Sequence, residues 1–240
     1  MEQPSSYFKD LVRNYTAFAR QPLLVFQLVL TIIYIPSMSL WVPTFLNFVQ
    51  QRKGILINDY LLNIIPAVDV SIPLSVFCYM PVILAIVISL PYAKNFLIGL
   101  QTYALVTTLR MLTIFLVPLE APTDYVHITD PFMQSMVYAG QVINKDLFFS
   151  GHTSTMIVLL LMVPQRWKSL FAFFAVMVAT LVLVQHAHYT IDVIAAPFFT
   201  LFVYQIVSVA HSIKFVWEEG KVYINEQVYE LSLLPKFLKN

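Results

Sequence analysis

Two short stretches in the second half of the chain hold side chains whose types and spacing suit group transfer. The stretch "HAHYTID" contains His188 and Asp192, four residues apart. On a helix this spacing puts both side chains on one face, where the carboxylate accepts a hydrogen bond from one ring nitrogen. The other ring nitrogen keeps a lone pair that can attack an electrophile. The spacing therefore predicts His188 as a nucleophile and Asp192 as the acid that orients it.

The stretch "DLFFSGHTS" leads into an apolar run and supplies a second histidine, His152. The first backbone N–H groups of a helix lack helical partners and can bind phosphate oxygens. From this position His152 can donate a proton to a leaving oxygen. Arg110 offers a fixed positive charge for phosphate. We expect the phosphate-binding site to include four more residues, with a Ser-Gly turn that allows a close backbone approach: Asp146, Ser150, Gly151 and Tyr189.

Structural interpretations stay open for the same residues. A histidine and an aspartate four residues apart are often only a paired surface feature. Arg110 can extend its charged end to the membrane surface. Asp146 can cap a helix or pair with Lys145.

Three further polar residues have no predicted chemical role. Asp59 and Asp69 precede an apolar segment and are expected to cap its helix. His186 lies two residues from His188, so it points away from the face of His188 and is predicted to be supporting or incidental.

The composition indicates an integral membrane protein that positions these residues within helices. Hydrophobic residues make up 59% of the 240 residues and charged residues only 11%, against about 45–50% and about 25% in soluble domains. The formal net charge of +1, with basic residues in short clusters, argues against nucleic acid as a partner. The single cysteine, Cys78, excludes an internal disulfide. No carboxylate cluster or histidine set suggests a metal, and we predict no cofactor.

Six apolar segments are candidates for crossing the membrane, which takes about 20 residues each. Backbone groups in lipid must be paired internally and no alternating strand pattern recurs, so we expect an all-α, six-helix bundle. The fourth and fifth segments are short and carry the histidines at their ends. The predicted spans are Leu23–Val49, Ile72–Leu90, Phe96–Leu119, Thr153–Val163, Leu170–Gln185 and Ile191–Ala210.

The basic residues predict the orientation of this bundle. Six spans put both termini on one side, and most lysines and arginines fall there: Lys9, Arg13, Arg20, Lys94, Arg166, Lys168, Lys214, Lys221, Lys236 and Lys239. The other side has only Arg52, Lys53 and Lys145. By the positive-inside rule both termini are cytoplasmic, and the histidine motifs face outward or toward a lumen.

One domain is expected, with three parts. Residues 1–22 carry apolar side chains at helical spacing between charged ones and should lie flat on the cytoplasmic interface. Residues 23–210 form the six-span catalytic part. Residues 211–240 are a cytoplasmic tail to which we assign no chemistry.

The two motifs resemble those of a known family. "SGHT" at Ser150 to Thr153, followed by "HYTIDV" at His188 to Val193, is similar to the sphingomyelin synthase branch of the type 2 phosphatidic acid phosphatase (PAP2) superfamily. Arg110 with Thr113 looks like that family's Arg-x-x-Thr. The resemblance implies a His188 nucleophile, an orienting Asp192 and a His152 proton donor.

The resemblance also implies the substrates. It suggests transfer of a phospholipid head group through a phosphohistidine, with a lipid alcohol (ceramide or diacylglycerol) or water as acceptor. The alternative is a lipid phosphate phosphatase acting on phosphatidic acid or a prenyl diphosphate. That class carries a proline before Ser-Gly-His, where this chain has Phe149. An alternative of another class is a non-catalytic lipid-binding or transport bundle, in which the histidines would lie apart. The membrane, either a bacterial inner membrane or a eukaryotic endomembrane, and the oligomeric state stay open.

Overall fold

A computed structural model describes residues 4–130, 143–216, 221–224 and 227–230. The described part is a bundle of helices followed by three short strands. The helices are α1 (Pro4–Ala19), α2 (Pro22–Gln51), α3 (Ser71–Ser89), α4 (Ala93–Leu116), α5 (Gly151–Met162), α6 (Lys168–Val184) and α7 (Thr190–Ser212), with a 3₁₀ turn at Gln165–Trp167.

Each apolar segment forms a helix within a few residues of its predicted bounds. Five helices (α2, α3, α4, α7, and α6 with the 3₁₀ turn before it) are long and apolar enough to cross a membrane. The remaining one, α5, has 12 residues and is about 18 Å long, shorter than the roughly 30 Å of a hydrocarbon core. These helices are those of an integral membrane protein. The crossing by α5 and the sidedness of the termini stay predictions.

The short helix α5 lies at the centre of the bundle. It packs against α3, α4, α6 and α7, whereas α2 packs against α4. The main apolar core forms where α3, α5 and α6 meet, around the fully buried Phe171, Val178 and Val182. A helix enclosed by neighbours does not need to span the lipid by itself, since its ends contact protein. The central position of α5 therefore holds its first residues, including His152, inside the protein.

Two connecting loops cover the end of the bundle where α5 and α7 begin. The loop after α2 pairs with the loop after α4 through a bridge between Ile55 and Leu119. Gly54 is required for this contact, because a Cβ there would lie 2.5 Å from the Leu119 carbonyl carbon. The same loops bond to the end of α6, from Val68 N–H to Val184 O and from Val126 N–H to Gln185 O. The loops are thus fixed above the two histidine motifs.

The two ends of the chain differ in how well the sequence anticipates them. The amphipathic helix α1 is present, with Phe8 and Val12 exposed, and Asn14 donates to Pro91 O in the turn before α4. Its contact with a membrane surface stays a prediction. The tail, to which the sequence assigned no chemistry, contains an antiparallel sheet that the expected all-α class did not include: β1 (Ile213–Val216), β2 (Lys221–Ile224) and β3 (Gln227–Glu230). The membrane bundle itself is helical, as predicted.

Candidate active site

His188 and Asp192 meet at the beginning of α7. His188 lies in the turn before the helix, which starts at Thr190, so the two residues do not share a helical face as the sequence suggested. They meet because the turn is closed by Asp192: its Oδ2 accepts the Tyr189 N–H at 3.1 Å and lies 3.4 Å from His188 Nδ1. Both side chains are buried. A catalytic hydrogen bond of this length commonly shortens when substrate binds.

A carboxylate from a distant loop fixes this turn. Asp59 accepts the Thr190 N–H at 2.6 Å and the Thr190 hydroxyl at 2.9 Å. The sequence predicted that Asp59 caps the helix of the second span, α3, and this was wrong. Asp59 accepts from the Leu61 and Leu62 N–H groups in its own loop, and the fold of that loop over α7 adds the two bonds from Thr190. Asp69 does support the start of α3, by accepting from the Ser71 N–H and hydroxyl.

The first motif forms the beginning of α5 and is joined directly to the second. Ser150 caps α5 by accepting from Thr153 N–H, and the Ser150 N–H donates to Asp192 O at 3.1 Å. This backbone bond sets the two motifs side by side. The rings of His152 and His188 therefore lie with their centroids 6.3 Å apart and an interplanar angle of 68°.

Arg110 in α4 holds the loop before α5. Its Nε donates to Phe149 O at 2.7 Å and its Nη2 to Asp146 Oδ1 at 2.8 Å. The side chain is buried, so Arg110 does not extend to the membrane surface. Asp146 pairs with Arg110 rather than with Lys145, whose ammonium group binds Glu120 instead. Thr113, one turn along α4, also donates to this loop, at Phe148 O.

A cavity of about 500 Å³ opens beside these groups. Five of the predicted site residues line its polar end: Arg110, Asp146, Gly151, His152 and His188. Most of the remaining lining is apolar side chains of α2, α3, α4 and α5, with polar residues such as Tyr79, Tyr125 and Asn144 among them. The cavity thus joins a charged end to a mainly apolar remainder.

Three predicted site residues do not line the cavity. Asp192 lies behind His188, as an orienting residue should. Ser150 and Tyr189 were expected to bind phosphate and instead hold structure: the Ser150 hydroxyl is taken up by the cap, and the Tyr189 hydroxyl bridges the two covering loops, donating to Glu120 O and accepting from Ile57 N–H. Both side chains are buried away from the cavity, so the structure does not support phosphate contacts by them.

His186 fits its predicted minor role. Its Nε2 lies 3.0 Å from Ile65 O, and its backbone has a φ of 51°, a left-handed conformation that turns the chain between α6 and α7. The residue does not line the cavity. It shapes the turn that precedes His188.

Asp130 is a polar residue of the cavity that the sequence analysis missed. It is buried, and Tyr79 of α3 donates to its Oδ2 at 2.5 Å. Both residues line the cavity. No motif marks Asp130, and its neighbour Tyr79 lies 51 positions earlier in the sequence, so only the fold reveals the pair. Within the described ranges, no three histidine, cysteine, aspartate or glutamate side chains converge as a metal site would require.

The Asp59 cap yields a prediction about stability. Partial burial raises the pKa of Asp59, but the hydrogen bonds from Thr190, Leu62 and Leu61 outweigh it and hold this pKa below its ordinary value. A carboxyl with a lowered folded-state pKa stabilises the fold above its unfolded-state pKa, and this stabilisation is lost as the pH falls through the folded-state pKa. Asp59→Ala should therefore lower the unfolding free energy by about 1 kcal/mol at neutral pH, with a smaller loss in acid.

Thermal unfolding in detergent at neutral and acidic pH measures this effect. Asp59→Asn is the control for the charge, because it keeps one acceptor oxygen but cannot titrate; the stability difference between it and Asp59→Ala should not change with pH. An equal destabilisation by Asp59→Ala at both pH values would contradict the account.

Gly151 yields a prediction about geometry. A Cβ at this position would lie 2.6 Å from Arg110 Nη1 and 2.8 Å from its Cζ. Gly151→Ala should displace the guanidinium and lower turnover by about 10²-fold, the scale of a misplacement of about 1 Å. The same change made in an Arg110→Ala background should add little, because the group it displaces is gone. Additive losses in the double variant would show that Gly151 acts otherwise.

Comparison with known proteins adds one finding. A family model described as "PAP2 superfamily C-terminal" matches residues 145–209. This stretch holds both histidine motifs, all of α5 and α6, and most of α7. It covers less than half of the chain and does not include Arg110. No curated protein matches the chain.

Proposed function

We propose that the protein is a membrane enzyme that cleaves or transfers a phosphorylated head group of a lipid through a phosphohistidine on His188. The observation that carries the proposal is the meeting of four groups: His188 backed by Asp192, His152, and Arg110 at the polar end of one cavity. The match of residues 145–209 to the PAP2 superfamily supports phosphoester chemistry at this site.

The chemistry follows from the position of each group. His188 Nδ1 faces Asp192, which leaves Nε2 to attack phosphorus. The bond from phosphorus to the leaving oxygen breaks, and His152 gives that oxygen a proton. In the second half, His152 takes the proton of the acceptor hydroxyl, whose oxygen attacks phosphorus and releases His188. Arg110, held by Phe149 and Asp146, stabilises the negative charge on the phosphate oxygens.

The polarity of the cavity favours a lipid substrate. Its charged end suits a phosphate, and its apolar remainder suits hydrocarbon. We propose activity like that of the sphingomyelin synthases, with a phospholipid as donor and ceramide, diacylglycerol or water as acceptor. We also propose that both termini are cytoplasmic, which puts the site at the outer or luminal face of a bacterial inner membrane or a eukaryotic endomembrane.

A lipid phosphate phosphatase is the second candidate, because it would use the same groups and transfer only to water. A non-catalytic lipid-binding bundle is less well supported. It predicts His152 and His188 to lie well beyond hydrogen-bond reach even through a water, about 10 Å or more apart, whereas their ring centroids are 6.3 Å apart.

Lipid mass spectrometry distinguishes these candidates. Purified protein is mixed with phosphatidic acid, a prenyl diphosphate, and choline- and ethanolamine-bearing phospholipids, with and without ceramide or diacylglycerol. Transfer is indicated when the added ceramide or diacylglycerol gains the phosphorylated head group of the donor. Hydrolysis is indicated when free phosphate or a free phosphorylated head group appears. If no lipid changes, or if the His188→Ala variant yields the same products, the proposed function is wrong.

A further inference from the structure

The cavity extends from the polar groups toward the end of the bundle where α4 begins and α5 ends, which we call its lower end. On α4 its lining residues recur at helical spacing from Arg110 through Val106, Tyr103 and Gly99 to Phe96, a distance of about 21 Å at 1.5 Å per residue. On α5 the lining runs from His152 to Met162, about 15 Å. The cavity is therefore a channel parallel to the helices.

Helices α4 and α5 are in close contact at the lower end of the channel. A Cβ on Gly99 would lie 2.5 Å from Met162 Sδ, so α4 and α5 touch where both residues line the channel. Phe96 and Ile86 line the same end. We call Phe96, Gly99 and Met162 the floor of the channel.

The length and direction of the channel suit one hydrocarbon chain. A lipid in one leaflet has its chains parallel to the membrane normal, and that leaflet contributes half of the roughly 30 Å hydrocarbon core. The distance of about 15 Å from His152 to the floor along α5 equals that half-thickness. The wall between them consists mainly of apolar side chains, including Val82, Leu100 and Leu159.

We propose that this channel binds one hydrocarbon chain of the substrate lipid and that its floor selects the chain length. The proposal rests on the proposed function, since a phosphate held at Arg110, His152 and His188 directs the attached chain downward. A chain that reaches the floor buries all its methylenes. A longer chain holds its phosphate away from His188, and a displacement of about 1 Å should lower kcat/KM by about 10²-fold.

Two substitutions move the floor in opposite directions. Leu100→Trp fills the channel one residue above Gly99 and should shift the preferred chain to shorter lipids. Met162→Ala deepens it and should shift the preference to longer ones. Leu105→Trp is the matched control, because Leu105 lies on the same helix, is 46% exposed and does not line the cavity; it should leave the preference unchanged.

The measurement is kcat/KM over a series of lipids with one head group and increasing chain length, together with native mass spectrometry of the chain lengths that each variant retains. Opposite shifts for Leu100→Trp and Met162→Ala, with none for Leu105→Trp, support the proposal. Equal losses at all chain lengths would overturn it, because a purely structural role gives that result. If no lipid is turned over, the proposed function fails, while the retained chain lengths still decide whether the channel selects them.

Discussion

His188→Ala should lower kcat/KM for every lipid ester by about 10⁴-fold or more, as the loss of a nucleophile does in other covalent enzymes. Among the described residues two histidines line the cavity, and of these only His188 has a buried carboxylate within hydrogen-bond distance. Without its ring no covalent intermediate forms, and the remaining groups can only polarise the substrate. Turnover of the lipid series by the purified variant, measured against wild type, tests the expectation.

The control for this substitution lies two residues away. His186→Asn removes a buried histidine from the same turn but replaces it with a residue that tolerates the left-handed backbone there. Since His186 bonds to Ile65 O and does not line the cavity, this variant should keep most of the activity. Equal losses for both variants would mean that the turn, not a nucleophile, was being tested.

His152→Ala should lower turnover of natural lipids by about 10²- to 10⁴-fold, the usual contribution of a general acid. The size of this loss should depend on how easily the leaving group departs without a proton. The leaving group of a nitrophenyl ester is a nitrophenolate anion, which needs no proton. On such a substrate His152→Ala should therefore keep most of the wild-type rate in the first half of the reaction. The burst of nitrophenol release in a rapid-mixing experiment measures that step.

His188→Ala provides the contrast for the leaving-group experiment. It should release no burst on the activated ester, because the bond to phosphorus cannot form. A similar loss for His152→Ala on the activated and the natural esters would contradict its role as proton donor. That result would fit a structural contact between the two rings.

Much of the fold could be predicted because lipid leaves few choices for the backbone. Runs of apolar residues form helices that begin and end near their predicted bounds, as α2 and α3 show. Helix α5 also keeps its predicted bounds, but its 12 residues are too few to cross the lipid alone; its enclosure among four neighbouring helices explains how so short a helix is accommodated. That enclosure depends on packing between distant segments, which local composition does not reveal.

The sequence predicted the motifs of the candidate site, but not the role of each residue within them. The sequence predicted phosphate contacts for Ser150 and Tyr189, which belong to the two histidine motifs. In the fold, Ser150 caps α5 and Tyr189 joins two loops. Asp59 was assigned to the wrong helix, because its contact with Thr190 spans 131 positions. Short-range spacing carries no information on such contacts.

The pairing of Arg110 with Asp146 is a second contact between distant residues that short-range spacing does not reveal. Each residue had a reasonable local interpretation, the arginine at the membrane surface and the aspartate beside Lys145. The fold brings together residues 36 positions apart, and both local interpretations fail. A buried charge requires a partner of opposite sign, but the sequence does not say which partner it will meet.

The covalent intermediate is the central claim, and a trapping experiment tests it most directly. Wild type and the His188→Ala variant are mixed rapidly with a lipid substrate, quenched in alkali to preserve a phosphorus–nitrogen bond, digested and analysed by mass spectrometry. The account predicts the mass of the transferred phosphoryl group on the peptide that contains His188 in wild type, and no adduct in the variant. Turnover without an adduct on that peptide, or an adduct on another residue, would contradict it.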